Sequence, residues 1–247
     1  NVVSLCSDGP EVQFIGLLNG TPQPGGLWTG PNGPVPSGEW DPTTDTGGAY
    51  QYVVLGLASC GDDSATVQIN KVIAPNAGED GDLTVCVDAT GIALINGLNG
   101  TPQLGGTWTN NSNIGQLNNG VLNAIGVLPG TYTFTYTRVG NAPCTPAAAL
   151  LTLTIVQGLD AGADTTVQVC ESENFVLLYP LLGGAPQAGG DWFDVDGSGA
   201  MLNGVFNAGL AGVGTWHFEY VLEASASCVS DTSVLTVEVL EGPNAGC

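Results

Sequence analysis

An all-β architecture of three tandem sandwiches is predicted by three observations. Apolar and polar residues alternate with a period of 2 in several stretches. Turn formers are dense, with Gly 38 and Pro 15 among 247 residues. One arrangement of cysteine, tryptophan and aromatic strand occurs three times. A period of 2 marks half-buried antiparallel strands, and turns at this density leave no room for long helices.

Each repeat opens on a cysteine, Cys6, Cys86 or Cys170. A turn follows, read from Asn19-Gly20-Thr21 and Asn99-Gly100-Thr101, since Asn-Gly is a strong turn dipeptide. Next come Thr21-Pro22-Gln23, Thr101-Pro102-Gln103 and Ala185-Pro186-Gln187, then Gly-Gly-x-Trp ending at Trp28, Trp108 and Trp192. Gly38-Glu39-Trp40-Asp41 matches Gly120-Val121-Leu122-Asn123 and Gly204-Val205-Phe206-Asn207. An aromatic strand comes next: Tyr50 and Tyr52, then Tyr132, Phe134 and Tyr136, then Trp216, Phe218 and Tyr220. The second cysteine is Cys60, Cys144 or Cys228, and a last alternating strand closes the unit, as in Leu151, Leu153 and Ile155.

The junctions read Pro75-Asn76-Ala77-Gly78-Glu79-Asp80, Asp160-Ala161-Gly162-Ala163-Asp164 and Asn244-Ala245-Gly246. They place the domains at 1–75, 76–159 and 160–247, the last including the start of a further junction. About seven short strands in about 80 residues define a small β-sandwich. A tryptophan between two cysteines, with an aromatic strand before the second, makes each unit immunoglobulin-like. The tryptophan stands 22 residues after the first cysteine and no tyrosine lies two before the second, so strand order stays open. The expected fold is three tandem immunoglobulin-like domains in an elongated array.

No Cys-x-x-Cys zinc spacing is present. By economy the cysteines are expected to pair within units, as Cys6–Cys60, Cys86–Cys144 and Cys170–Cys228, each pinned beside its tryptophan. Disulfides imply an oxidising, extracytoplasmic location. Cys247 has no internal partner under this scheme. The sequence shows no basic region followed by an apolar stretch at its start, and it reads as a piece of something longer. No apolar run reaches the length of a bilayer span.

Charge restricts function. The chain has 23 Asp+Glu against 2 Lys+Arg, a formal net charge of -21. Nucleic-acid binding needs clustered Lys and Arg, and docking onto anionic lipid needs the same. Neither partner is expected. Acidity is greatest in the third unit. With His217, Lys71 and Arg138 the only residues of their kinds, most acid–base and nucleophilic chemistry lacks its parts. No enzyme activity, cofactor or resident metal is expected.

Each candidate site also has a simpler reading. Trp28, Trp108 and Trp192 could stack on sugar, but one fixed offset in every unit favours a core position, with Trp40 and Trp216 as interchangeable core residues. Asp194-Val195-Asp196-Gly197-Ser198-Gly199 resembles a calcium loop, yet Val205 stands where a bidentate Glu belongs. A solvated acidic turn is the simpler reading. The junction acids Glu79, Asp80, Asp82, Asp160 and Asp164 read as solvated charge or as a shared cation site. Glu171 and Glu173 share a strand face as a glycosidase pair would, but neither recurs and no cleft is indicated. His217 reads as a surface residue. Asn19, Asn99 and Asn110 satisfy the N-glycosylation pattern.

The pattern Cys…Leu-x-Gly-x-Pro-x-x-Gly-Gly-x-Trp…Gly-x-Tyr-x-Phe-x-Tyr…Cys, joined by Asn-Ala-Gly-x-Asp, resembles repeats of the giant SprB-type surface adhesins of gliding Bacteroidota. The resemblance covers the chain three times over. It implies type IX secretion, display on the cell surface and a role in attachment or gliding motility. Asp63-Ser64-Ala65 and Asp164-Thr165-Thr166 resemble O-glycosylation sites of that phylum.

The residues themselves favour a stalk or spacer, since units with their own cores can be added without redesign. Expected partners are other repeats of the same long chain, the motility or secretion machinery, and an external surface or polysaccharide. A glycan- or protein-binding module, calcium-dependent in one form, is the alternative.

Overall fold

A computed structural model describes residues 1–57, 59–224 and 227–243. Cys247 and Asn244-Ala245-Gly246 lie outside the described residues. The chain divides into two compact units. One comprises Asn1–Leu83, Thr90–Asn123 and Thr131–Leu153; the other comprises Thr84–Ala89, Ala124–Gly130 and Thr154–Cys247. Among the described residues no helix is long and apolar enough to cross a membrane.

The first repeat contributes β1 (Val2–Cys6), β2 (Val12–Gln13), β3 (Leu27–Gly30), β4 (Gly33–Pro34), β5 (Glu39–Trp40), β6 (Gly48–Val54) and β7 (Asp63–Val72). One sheet runs β1-β7-β6-β3-β4 and β2 pairs with β5. Phe14, Trp40, Tyr50, Val67 and Ile69 lie between them, almost wholly buried. The alternation of Tyr50 and Tyr52 with exposed Ala49 and Gln51 in β6 is the predicted period of 2.

The second repeat contributes β8 (Gly81–Cys86), β9 (Ile92–Ala93), β10 (Thr107–Asn110), β11 (Gln116–Asn118), β12 (Val121–Asn123), β13 (Gly130–Arg138) and β14 (Ala147–Val156). Its sheets run β10-β13-β14-β8 and β11-β12-β9. Leu94, Leu122, Phe134, Leu151 and Leu153 are fully buried.

The third contributes β15 (Thr165–Cys170), β16 (Val176–Leu177), β17 (Asp191–Asp194), β18 (Met201–Leu202), β19 (Val205–Phe206), β20 (Gly214–Leu222) and β21 (Asp231–Leu240). Its sheets run β15-β21-β20-β17 and β16-β19-β18. Leu178, Phe206, Phe218, Leu235 and Val237 from both sheets share one apolar core. The protein is thus all-β, three immunoglobulin-like β-sandwiches in tandem. Trp40, Leu122 and Phe206 are each fully buried at the matching position, as interchangeable core residues should be.

The strand order supplies what the sequence left open. β1 pairs with β7 in parallel, with Cys6 opposite Val72, the last residue of that strand. β15 pairs with β21 in parallel, with Cys170 opposite Leu240. In the second repeat the N–H of Val87, just past Cys86, donates to the carbonyl of Val156 at the end of β14. Each first cysteine therefore sits at the far end of a ten-residue final strand. Each second cysteine stands three residues before that strand begins.

This geometry overturns the within-unit pairing. A ten-residue strand rises about 33 Å, whereas disulfide Cα atoms must lie within about 7 Å. Cys6–Cys60, Cys86–Cys144 and Cys170–Cys228 cannot form across that span. The structure instead joins Cys6 to Cys144 and Cys86 to Cys228, each with Cα atoms 5.1 Å apart. Among the described residues Cys60 and Cys170 are free thiols, exposed and half-buried respectively.

Candidate functional site

The feature that recurs is a clasp where one repeat gives way to the next. Its first part is covalent. Cys6 ends β1 and Cys144 sits in the turn between β13 and β14, held by its own N–H on the carbonyl of Asn141. The bond between them ties the first repeat to the second. Cys86–Cys228 ties the second to the third in the same register.

Its second part is a seat for the junction segment. In the second repeat the Asn76 carbonyl accepts from the Gln103 N–H at 2.9 Å, and Asn76 Nδ2 donates to the Thr101 carbonyl at 3.1 Å. Glu79 and Asn99 exchange backbone hydrogen bonds. The Asp80 carboxylate accepts from the Leu150 N–H at 2.7 Å. Ala77 is 2% exposed. The third repeat copies this arrangement. Gln187 N–H donates to the Asp160 carbonyl, and Ala163 and Gly183 exchange backbone bonds. Ala161 is fully buried, with its N–H on Asp231 Oδ2 and its carbonyl accepting from Ser233 Oγ. Asp164 accepts from the Val234 N–H.

The glycine of this segment is required by its surroundings. Gly78 has φ +82, and a Cβ there would lie 2.7 Å from the Asn99 carbonyl oxygen; Gly162 has φ +93, with 2.5 Å to that of Gly183. The junction acids Asp80 and Asp164 each accept a backbone N–H from within the last strand, at Leu150 and Val234, rather than standing as free linker charge. Sequence reasoning took the junction for a boundary and missed that it packs. The signal was present, because Asn-Ala-Gly and the Asn-Gly-Thr-Pro-Gln turn recur as a pair.

A tyrosine hydroxyl locks the outer side of each seat. Tyr52, Tyr136 and Tyr220 donate to the carbonyls of Gln23, Gln103 and Gln187, and accept from the N–H of Gly26, Gly106 and Gly190. Trp28, Trp108 and Trp192 pack on these rings with centroids 4.8, 4.9 and 5.1 Å away. The tryptophans lie against tyrosine, not against a bridge as expected. Removing both bonds of a buried hydroxyl costs about 1–2 kcal/mol. Tyr220→Phe is accordingly expected to lower stability by that amount in urea unfolding, with an unchanged far-UV spectrum.

The other predicted sites fall elsewhere. Burial pushes the Asp194 carboxyl up, but the Ser198 hydroxyl and N–H and the N–H groups of Gly199 and Gly197 outweigh it and hold it below its ordinary value. Asp196 is lowered by hydrogen bonds from the His217 ring and N–H, with Nδ1 at 2.8 Å. The carboxylates of the calcium-like loop are thus engaged by protein donors. His217 is 42% exposed. Glu171 accepts from the Gly242 N–H, just past the final strand, and Glu173 from the Cys170 N–H in a local turn, so both carboxylates are held by backbone donors. Asn19 and Asn99 precede Gly20 and Gly100, whose φ values of +81 and +71 confirm the turns.

Cys170 differs from an ordinary thiol. The Ser172 hydroxyl and N–H stabilise its thiolate and hold its pKa down, against a smaller upward push from burial and from Glu171 and Glu173. A lowered thiol pKa means more thiolate at a given pH. Alkylation of Cys170 by iodoacetamide, followed by mass spectrometry against pH, is expected to reach half its maximal rate below the pH of an unstructured cysteine peptide.

No family model and no curated protein matches the chain. Among solved structures it is similar to the I67–I69 I-band fragment of titin, at 14% identity and a TM-score of 0.35, over 89% of this chain and 88% of that one. Drosophila OTK extracellular domains 3–5 give 14% and 0.36, over 78% and 71%. Drosophila N-cadherin EC1-4 gives 11% and 0.33, over 97% and 73%. These are likenesses of architecture alone.

Proposed function

We propose that the chain is a run of structural spacer repeats from a secreted cell-surface adhesin, with domains at 1–75, 76–159 and 160–247. The observation that carries this reading is the register of its disulfides, which join each repeat to the next. A module that only bound a ligand would gain nothing from such bonds. A shaft that transmits force gains a second covalent path beside the backbone, one that limits its extension. Disulfides at structural positions also suit an extracellular location.

The net charge of -21 favours solubility and mutual repulsion between neighbouring shafts. The resemblance of the repeats to SprB-type adhesins extends the reading to type IX secretion and to surface attachment or gliding in Bacteroidota. Its partners would be further repeats of the same chain, the surface machinery that carries it, and the external surface or polysaccharide contacted by another part of the protein.

A second reading, a ligand-binding module, is favoured by a cleft of about 540 Å³ beside Trp108, Leu104, Leu117 and Tyr136. Glycan-array binding and calcium calorimetry on the intact chain separate the two. A spacer gives no signal at micromolar concentration. Saturable binding lost in Trp108→Ala, with the fold retained, would move the function to that cleft.

A further inference from the structure

The first repeat carries the same seat, with nearly the same residues, as those that hold a junction segment in the second and third. Asn19-Gly20-Thr21-Pro22-Gln23 repeats Asn99-Gly100-Thr101-Pro102-Gln103 with no change. A cleft of about 410 Å³ lies against it, lined by Leu18, Asn19, Pro22, Gln23, Tyr52 and Asp63. Asp63 begins β7 as Asp231 begins β21, where the Asp231 carboxylate accepts the N–H of buried Ala161.

Three residues before Asp63 of this cleft stands Cys60, whose N–H donates to the Leu57 carbonyl as that of Cys144 donates to Asn141. Both cysteines stand three residues before their final strand. Leu55 and Leu57 on the same turn are exposed large apolar residues. At the other end of the chain, Cys170 lies in the setting of Cys6 and Cys86. The residue after each of the three donates its N–H to the end of the final strand: Ser7 to Val72, Val87 to Val156 and Glu171 to Leu240. The sequence then continues Pro243-Asn244-Ala245-Gly246, matching Pro75-Asn76-Ala77-Gly78.

We infer that the first repeat is an acceptor for the junction segment of another repeat of this type, and that a second copy of this chain can supply it. The Asn-Ala-Gly segment of one copy fills the Leu18–Gln23 cleft of the next, and Cys170 of the first bonds to Cys60 of the second. The fit is the one the chain already makes twice within itself, and it does not depend on the array bearing load. A heterologous contact of this kind adds copies head to tail.

Bond formation needs a two-electron oxidant, here a small disulfide such as oxidised glutathione. The Cys170 thiolate attacks it and releases one glutathione thiolate. The Cys60 thiolate then attacks the Cys170 sulfur of the mixed disulfide. The second glutathione leaves as thiolate, and the two protons lost by the cysteines pass to the two glutathiones.

The test uses the 247-residue chain carrying Cys247→Ser, in a glutathione redox buffer at 150 mM salt, where repulsion between acidic chains is screened beyond about 8 Å. A ladder of covalent multimers is expected on non-reducing gels. Digestion at acidic residues and mass spectrometry should find Cys60–Cys170 as the dominant intermolecular link. A peptide of residues 74–80 in millimolar excess, and separately Ala245→Trp, should each reduce the ladder about tenfold. The same peptide with Val in place of Gly78 should not compete. Absence of multimers would overturn the inference. So would Cys60–Cys60 and Cys170–Cys170 links at the frequency of random collision, or a ladder indifferent to both the peptide and Ala245→Trp.

Discussion

Pulled from its two ends with both disulfides intact, the chain is expected to extend to about 300 Å, and after reduction to about 860 Å. The difference is the length that the two bonds take out of the loaded path. The shortest covalent route runs along 1–6, crosses to 144, returns to 86, crosses to 228 and continues to 247. That route holds about 85 residues, and each extended residue spans about 3.5 Å. Single-molecule force spectroscopy with and without reductant reads the contour length directly. Within-repeat bridges would have left almost the same length, because a route through Cys6–Cys60, Cys86–Cys144 and Cys170–Cys228 holds about 80 residues outside its loops, with no strand traversed in reverse. The total alone barely separates the two pairings. Cys86→Ser with Cys228→Ser does. With only Cys6–Cys144 left, the route lengthens to about 110 residues, or about 385 Å. Under the within-repeat scheme the same pair of changes would break two bridges and yield about 190 residues, or about 670 Å.

The second large effect is thermodynamic. Cys6–Cys144 closes a sequence separation of 138 residues, for which the chain-entropy model gives about 5 kcal/mol, chiefly by restricting the unfolded chain. The double variant Cys6→Ser/Cys144→Ser is expected to melt about 10 °C or more below the parent under non-reducing conditions, at about 2–4 °C per kcal/mol for a chain of this size. Cys60→Ser removes an exposed free thiol and should shift the midpoint by no more than the experimental scatter. Equal shifts in the two variants, measured by calorimetry, would contradict the assigned bonds.

The sandwich fold was legible because its signals are local. Tyr136 and Phe134 announce a buried strand face by spacing alone, and Trp40, Leu122 and Phe206 exchange freely because each fills the same apolar space. The disulfide pattern was not legible by economy. It depends on the first strand lying parallel to the last, a long-range pairing that puts Cys6 beside Val72 and far from Cys60. Nearness in sequence then becomes distance in space. The clasp was half legible. Gly78 and Gly162 marked a backbone constraint, but the partner that imposes it, a carbonyl more than twenty residues away, has no local signature. The calcium-like loop shows the converse case. Its Asp spacing suggested an ion, while the donors that occupy those carboxylates, Ser198 and the His217 backbone and ring, come partly from a distant strand.

The two bonds overlap, with residues 87–143 lying inside both loops. Any single peptide bond hydrolysed between residues 6 and 228 is therefore spanned by at least one sulfur crossing. A protease that nicks an exposed turn such as the one at Leu57 leaves both fragments on one molecule. After that nick, parting the two ends takes reduction of Cys6–Cys144, or two further cuts, one within 86–144 and one within 144–228, so the chain tolerates wear that would part an unbridged one.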